Sequence, residues 1–299
     1  MLQRVNRIIS SSGKVKYYAF SVMAVLMFSL VSIVQEAKAI VPIPIGWTLY
    51  YSGLSLPGSP YQGVRVYRKL NSNNKYDYVT IVDVRYGTLR NFTGEPSGTN
   101  YDMKVKRYGL GEFWNRAVNQ NTSSRKAAVV INGTFFNPGV NPTGISFGLK
   151  ADYWIMSLGF DRYNYGDKVR TFAFDTSYGS SSIQTYNPNY GSIFWGGTPN
   201  VIGGLDITAN KEPSVVKQRT FVGVRNDNYP ADDRSETIIF FASRYATQDR
   251  AAGVLGSFGA GSKMMLDGGS STSMYVNGQE VITGSAAVVP QAFVIYTGR

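Results

Sequence analysis

The apolar residues of this chain come in short runs, and most of the runs are β-branched or aromatic. Val64–Tyr67, Tyr78–Val84, Ala127–Ile131, Thr171–Phe174, Thr237–Ala242, Met274–Val276 and Phe293–Tyr296 are each long enough for one strand and no more. Polar and Gly/Pro clusters separate them, as at Asn71–Lys75 and through residues 91–103, which read as a polar loop with Gly94, Pro96 and Gly98. Ala127–Ile131 is unbroken, the pattern of a buried strand, whereas Val64–Tyr67 and Arg219–Val224 alternate. Two stretches space their apolar residues as a helix does. Tyr108–Asn121 puts Leu110, Phe113, Trp114 and Ala117 on one side, and Ser243–Gly259 does the same with Ala251, Ala252, Val254 and Leu255. Gly259-Ala260-Gly261 then supplies a helix stop. Val201–Ile207 reads as a small turn-rich unit around Gly203-Gly204, and Met274–Val276 with Phe293–Tyr296 as a closing strand pair. Many strands and two helices predict an α+β fold, a large mixed, mainly antiparallel β-sheet core with a few packed helices in a single domain.

The first 39 residues have the layout of a secretory signal peptide. Arg4, Arg7, Lys14 and Lys16 precede an apolar run from Tyr17 to Val34, and Ala37-Lys38-Ala39 is a small-x-small cleavage site. The run is also close to membrane-spanning length, so an uncleaved anchor is the alternative, and membrane contact is expected only through this segment. Residues 40–63, rich in Pro, Gly, Ser and Tyr, form an extended lead-in, and 64–299 the folded domain. The expected location is secreted, periplasmic or cell envelope. Loss of residues 1–39 takes five of the 30 basic residues and one of the 19 acidic ones, leaving 25 and 18, or +7. That charge is spread, with no Lys/Arg run of the kind that grips nucleic acid, and fits either anionic envelope partners or solubility alone.

The chain has no Cys and no His. Disulfides cannot hold it together, so a buried core must. A Ser-His-Asp triad, a Cys-His pair and His-ligated zinc are all excluded, and acid–base work falls to Asp, Glu, Lys, Tyr or solvent.

Three places share one pattern, an apolar strand that delivers a polar residue beside small ones. They are Asn132 after Val129-Val130-Ile131, Arg219 before Thr220-Phe221-Val222, and Asp267 after Met265-Leu266. An amide, a guanidinium and a carboxylate in one cleft suit a ligand with hydroxyls and a phosphate, since guanidinium forks onto phosphate oxygens and an amide both donates and accepts. Each also has a plainer reading. Asn-Gly is a common turn pair, Arg219 alone reads equally as a surface ion-pair residue, and Asp267-Gly268-Gly269 is a good turn. Asn91, Asn121 and Asn132 also open glycosylation sequons, which an Asn-rich chain contains by chance.

Taken together and in order, Asn132-Gly133-Thr134-Phe135-Phe136, Gly144–Lys150, Gly203-Gly204, Arg219–Val224 and Leu266–Thr272 resemble the phosphodiester glycosidase family over roughly residues 60–298. Thr134 departs from the family pattern, standing where a second Gly is usual, and one Gly is missing from the run after Asp267. The resemblance implies an exported hydrolase, N-acetylglucosamine-1-phosphodiester alpha-N-acetylglucosaminidase-like, that releases a sugar from a sugar-1-phosphodiester in a glycan, envelope polymer or exopolysaccharide. It implies that Arg219 binds phosphate together with the N–H and O–H groups of Gly268, Gly269, Ser270, Ser271 and Thr272, an anion nest. Asp267 is then the base for water or the stabiliser of an oxocarbenium-like centre, and Asn132 binds sugar. Gly133, Thr134, Phe135, Gly204 and Thr220 complete the expected substrate contacts. No cofactor and no metal are expected, and the partner is a phosphorylated carbohydrate. Asp206 and Glu280 are the candidates for a second carboxylate. The rival reading is a non-catalytic glycan-binding or exopolysaccharide-assembly protein on the same fold.

Overall fold

A computed structural model describes residues 41–53, 63–186, 194–227, 236–284 and 288–299. The expected signal peptide and the middle of the lead-in lie outside the described residues. Among those described, no helix is long and apolar enough to cross a membrane.

The strands sort into two main sheets. The larger has eleven strands. Its path runs β1 (Thr48–Ser52), β2 (Val64–Leu70), β3 (Tyr76–Asp83), β15 (Thr237–Ala246), β14 (Lys217–Arg225), β16 (Ser262–Met265), β13 (Asn200–Asp206), β11 (Val169–Asp175), β12 (Ser180–Thr185). Beside this path, β9 (Leu149–Ala151) pairs with β13 and with β10 (Trp154–Ser157). The smaller sheet runs β18 (Gln279–Ile282), β17 (Met274–Val276), β8 (Lys126–Asn132), β20 (Gln291–Thr297), β4 (Gly87–Thr93). Two short pairs join β5 (Pro96–Ser97) to β6 (Lys104–Val105) and β7 (Tyr108–Gly109) to β19 (Val288–Val289).

Alternation along the strands explains how the sheets stack. In β8, Val129 and Ile131 face one way, into a core shared with Val66, Val82, Phe172, Val222 and Phe240 of the larger sheet. Val130 faces the other way and packs with Ala292, Val294 and Tyr296 against Leu110, Phe113 and Ala117 of α1 (Leu110–Val118). β8 is therefore buried on both faces, as its unbroken apolar sequence requires. The second helix, α2 (Gln248–Ser257), packs on β14, β15 and β16 of the larger sheet. Thr247 caps it, its hydroxyl accepting from Arg250 N–H at 3.2 Å.

Several expectations change here. Every observed pairing is antiparallel, there are two stacked sheets rather than one mixed sheet, and the fold is richer in strand than a balanced α+β. Met274–Val276 and Phe293–Tyr296 share a sheet without pairing to each other, because β8 runs between them. Residues 91–93 finish β4 instead of starting a loop. The second helix starts at Gln248, and Ser243–Ala246 belong to β15. Val201–Ile207 is mostly strand β13. Its Gly203 and Gly204 mark close approach, not a turn. A Cβ on Gly203 would sit 2.0 Å from the Phe147 carbonyl oxygen, and one on Gly204 2.4 Å from that of Met265.

Candidate active site

The two sheets are stitched together where three chain segments meet. β8 of the smaller sheet ends at Asn132, β14 of the larger sheet carries Arg219-Thr220 near its start, and residues 266–273 carry the chain from β16 across to β17. Asn132 is fully buried and ties all three. Its Nδ2 donates to the Asp267 carbonyl at 2.7 Å, while its Oδ1 accepts from the Thr220 hydroxyl at 2.9 Å and from Ser273 N–H at 3.2 Å. The Thr220 and Thr272 hydroxyls lie 3.3 Å apart beside it. Asp267 N–H donates to the Gly133 carbonyl at 2.8 Å, and Leu266 N–H to that of Thr220 at 3.0 Å. This polar seam fixes the direction in which the backbone presents the Asp267 side chain.

Above the seam lies an open cleft of about 370 Å³. Asp267, Gly268, Gly269, Arg219, Lys211 and Lys217 line one part of it, and Phe135, Ser146, Phe147 and Asp161 another. The aromatic wall is built from edge-to-face rings. Phe135 and Phe147 have centroids 5.3 Å apart, and Phe147 and Tyr165 5.4 Å. The Lys211 ammonium sits 4.8 Å from the Tyr165 centroid.

Two charged groups in this cleft lack the partner that a purely structural charge would have. Asp267 is half-buried at the cleft wall, and loss of solvation there pushes its carboxyl pKa up to about 7. The Ser271 hydroxyl, Gly268 N–H at 3.0 Å and the Lys211 charge pull the other way without cancelling it. Arg219 is only 5% exposed, and burial lowers its pKa. Backbone carbonyls of Lys211 at 3.0 Å, Glu212 at 2.7 Å and Val215 at 3.3 Å hold its guanidinium, and its Nε is buried without a hydrogen-bond partner. Among the described residues no ion pair joins Arg219 to a carboxylate. Lys217 pairs with Glu212, and desolvation, then the neighbouring Arg219 and Lys211 charges, lower its pKa.

The expected site residues therefore divide. Asp267, Arg219, Phe135, Gly268 and Gly269 line the cleft. Asn132, Thr220 and Thr272 lie in the seam below, so the Asn132 amide serves the protein where a sugar contact was expected. Ser271 is buried and acts on the Asp267 carboxyl, while Ser270 is exposed and outside the lining. Gly133 is a packing residue, because a Cβ there would meet Gln291 Oε1 at 2.1 Å. Thr134 is buried, its N–H donating to Gln291 Oε1 at 2.8 Å. Gly204 lies in β13 away from the lining. Neither candidate second carboxylate reaches the cleft. Asp206 pairs with Arg170 at 2.6 Å, and Glu280 is exposed on β18. The carboxylates that join Asp267 there are Asp161 and Glu212. Asp161 is set by its N–H donating to the Ser146 carbonyl at 2.8 Å, and its Oδ1 accepts from Asn164 at 2.8 Å. Lys211, Lys217 and Asp161 were missed because they sit in loops or at a strand start with no apolar run pointing at them. Asn132 and Asn91 are buried, which disposes of two of the three sequons as surface acceptors, while Asn121 is half-buried.

With the Arg219, Lys211 and Lys217 side chains in its lining and no cluster of three or more Asp/Glu placed to hold a metal among the described residues, the cleft suits an oxyanion ligand better than a cation. The fold is shared with two solved structures. The catalytic domain of zebrafish N-acetylglucosamine-1-phosphodiester alpha-N-acetylglucosaminidase, auto-inhibited by its pro-peptide, superposes with a TM-score of 0.54 at 14% identity, covering 84% of this chain and 88% of that one. A hypothetical protein from Synechocystis superposes with a TM-score of 0.50 at 15% identity, covering 85% and 69%. No curated protein matches by sequence. The model of the phosphodiester glycosidase family matches residues 125–296, which span β8 to β20 and hold Asn132, Arg219 and Asp267, and the chain belongs to that family.

Proposed function

We propose that this protein hydrolyses sugar-1-phosphodiesters by cleaving the bond between the anomeric carbon and the bridging oxygen. The observation that carries the reading is the pairing, in one cleft, of a carboxyl with a pKa of about 7 and a buried guanidinium that has no carboxylate partner among the described residues. Arg219 and the nearby Lys211 and Lys217 neutralise the phosphate. The Gly268-Gly269 backbone lets it approach closely, Gly269 holding the turn open at φ +62°. Deprotonated Asp267 takes a proton from water as the water oxygen bonds to the anomeric carbon. The carbon–oxygen bond breaks, and its electron pair leaves with the phosphate monoester. That leaving group has a second pKa near 6, so no strong general acid is needed, in keeping with a chain without His. Of the two further carboxylates lining the cleft, Glu212 pairs with Lys217, and Asp161 is available to a sugar hydroxyl or to charge developing on the ring. The basic and apolar N-terminal segment with its Ala-x-Ala supports export, and with it an envelope or extracellular glycan as the substrate.

The test is a panel of sugar-1-phosphodiesters, N-acetylglucosamine-1-phosphodiesters among them, in ¹⁸O-labelled water. The label is expected in the released sugar, and Asp267→Ala and Arg219→Ala should each abolish release while circular dichroism stays native. Label in the phosphate, or near-normal turnover by either variant, would overturn the assignment.

A further inference from the structure

A second cleft, distinct from the one holding Asp267, has the construction of a carbohydrate subsite. It measures about 290 Å³ and is lined by Tyr101, Lys150, Tyr153, Trp154, Trp195 and Gly196. Its four polar-edged aromatics are all open to solvent, Tyr101 at 46%, Tyr153 at 60%, Trp154 at 45% and Trp195 at 52%. Four large rings bare on one small area is uncommon on a protein surface, where such residues are usually scattered. Tyr101 and Trp195 meet at 5.0 Å between centroids, so they hold each other in place. The Trp154 indole N–H points to Asn100 Oδ1 at 3.4 Å, which fixes the edge of a ring that is about half open to solvent.

The backbone is bent to make this arrangement. Tyr101 has φ +71°, and the β9–β10 hairpin turns through Asp152 at φ +45° and Tyr153 at φ +69°. A hairpin with two left-handed residues in succession normally uses Asn or Gly there. A tyrosine at such a position is disfavoured, and it carries its ring to the cleft.

At the base sits Lys150, 3% exposed, on β9. Its ammonium donates to the Gly196 carbonyl at 2.7 Å, and burial lowers its pKa. Among the described residues it has no ion-pair partner, so up to two further N–H donors on a buried cation remain for a ligand. A buried amine without a counter-charge is costly, and an anion supplied from outside offsets that cost. Aromatic rings offer flat apolar faces, and the cation picks out a sugar that also carries a negative group. Lys150 is only three residues beyond Phe147, which lines the Asp267 cleft.

We infer that this cleft binds an acidic sugar residue of a glycan chain, its ring against Trp195 and Trp154 and its carboxylate or phosphate group on Lys150. The inference concerns binding alone and is read without turnover, so it stands or falls separately from the hydrolytic assignment.

The experiment is titration of the full folded protein with tetragalacturonate and, in parallel, with the neutral galactotetraose, followed by tryptophan fluorescence and calorimetry. The acidic oligosaccharide should bind at least tenfold more tightly than the neutral one. Trp195→Ala should remove binding of both, and Lys150→Met should bring the acidic ligand down to the neutral level. If Lys150→Met does not fold, the acidic-to-neutral ratio and Trp195→Ala, an exposed position, still decide the matter. Binding of neither sugar, equal binding of both, or acidic binding untouched by Trp195→Ala would overturn the inference. A phosphorylated sugar, galactose 6-phosphate, added as competitor tells whether the anion preferred is phosphate or carboxylate, and failure of both galacturonate and phosphosugar to bind counts against the site.

Discussion

Replacing Asp267 with Asn should make the protein more stable at alkaline pH while it removes activity. The carboxyl has a pKa of about 7 in the folded state against 3.8 for the ordinary group. Between those values the folded chain binds more protons than the unfolded one, so stability falls as pH rises through that window. A tenfold change in proton affinity is worth about 1.4 kcal/mol, so ionising Asp267 in place costs about 4 kcal/mol in all, and roughly 3 kcal/mol of that falls between pH 5 and pH 8. Cleft water relaxes part of this cost, which makes 3 kcal/mol the upper end. Asn keeps the shape and can still accept from Gly268 N–H, but it never ionises. The variant's advantage over the wild type should therefore grow by about 2–3 kcal/mol between pH 5 and pH 8. For a chain of this size that is a Tm difference of roughly 5–10 °C. Urea unfolding of both proteins at both pH values measures it, and taking the difference between variants cancels the other titrating groups. An advantage that stays flat with pH, or a wild type that is the more stable at pH 8, would refute a desolvated carboxyl. With Asp267 as the base, kcat/KM should rise with pH and level off above about 7.

The seam below the cleft should be structural. Asn132→Ala leaves the Ser273 N–H and the Asp267 carbonyl without their side-chain partner and the Thr220 hydroxyl with only that of Thr272, and should destabilise the protein by about 3 kcal/mol, measured by urea unfolding. Two glycines, Gly269 in the cleft lining and Gly133 packed outside it, should respond to Ala differently. Gly269→Ala meets open space at φ +62° and should cost about 1 kcal/mol, whereas Gly133→Ala drives a Cβ into Gln291 and Phe293 and should cost clearly more in the same assay.

The strands were legible where one face or both bury apolar side chains. β2, β3, β8, β11 and β15 all follow from short β-branched runs, and α1 from the spacing of Leu110, Phe113 and Ala117. What the sequence hid was partnership. Nothing local says that β8 lies between β17 and β20, because order within a sheet is set by packing across the whole domain. Gly203-Gly204 looked like a turn because glycine is common in turns. Only the Phe147 and Met265 carbonyls pressed against them explain glycine inside a strand. For the site, strand ends pointed to Asp267 and Arg219, since a polar residue closing an apolar run is visible. The same signal picked Asn132, and there it marked a buried tie between sheets. Lys211 and Asp161 come from loops, whose direction depends on contacts such as Asp161 N–H to Ser146 that no residue pattern encodes.

The way the cleft handles its charges also bears on catalysis against mere binding. Asp267 and Arg219 line the same cavity, and pairing them would relieve the desolvation of both. A fold selected for stability alone gains by letting them meet, because a lone buried charge costs several kcal/mol. Here three carbonyls of the 211–215 loop hold the guanidinium, and Gly268 N–H and Ser271 hold the carboxyl. A site that only gripped phosphate would keep Arg219 and have no use for a carboxyl, which repels the ligand whenever it ionises. A carboxyl kept unpaired and near neutrality can take a proton and give it up again at the pH of its surroundings. The cost of that arrangement is the reason Asp267→Asn should gain stability as it loses turnover, and a variant that lost both would point instead to a carboxylate kept for its hydrogen bonds.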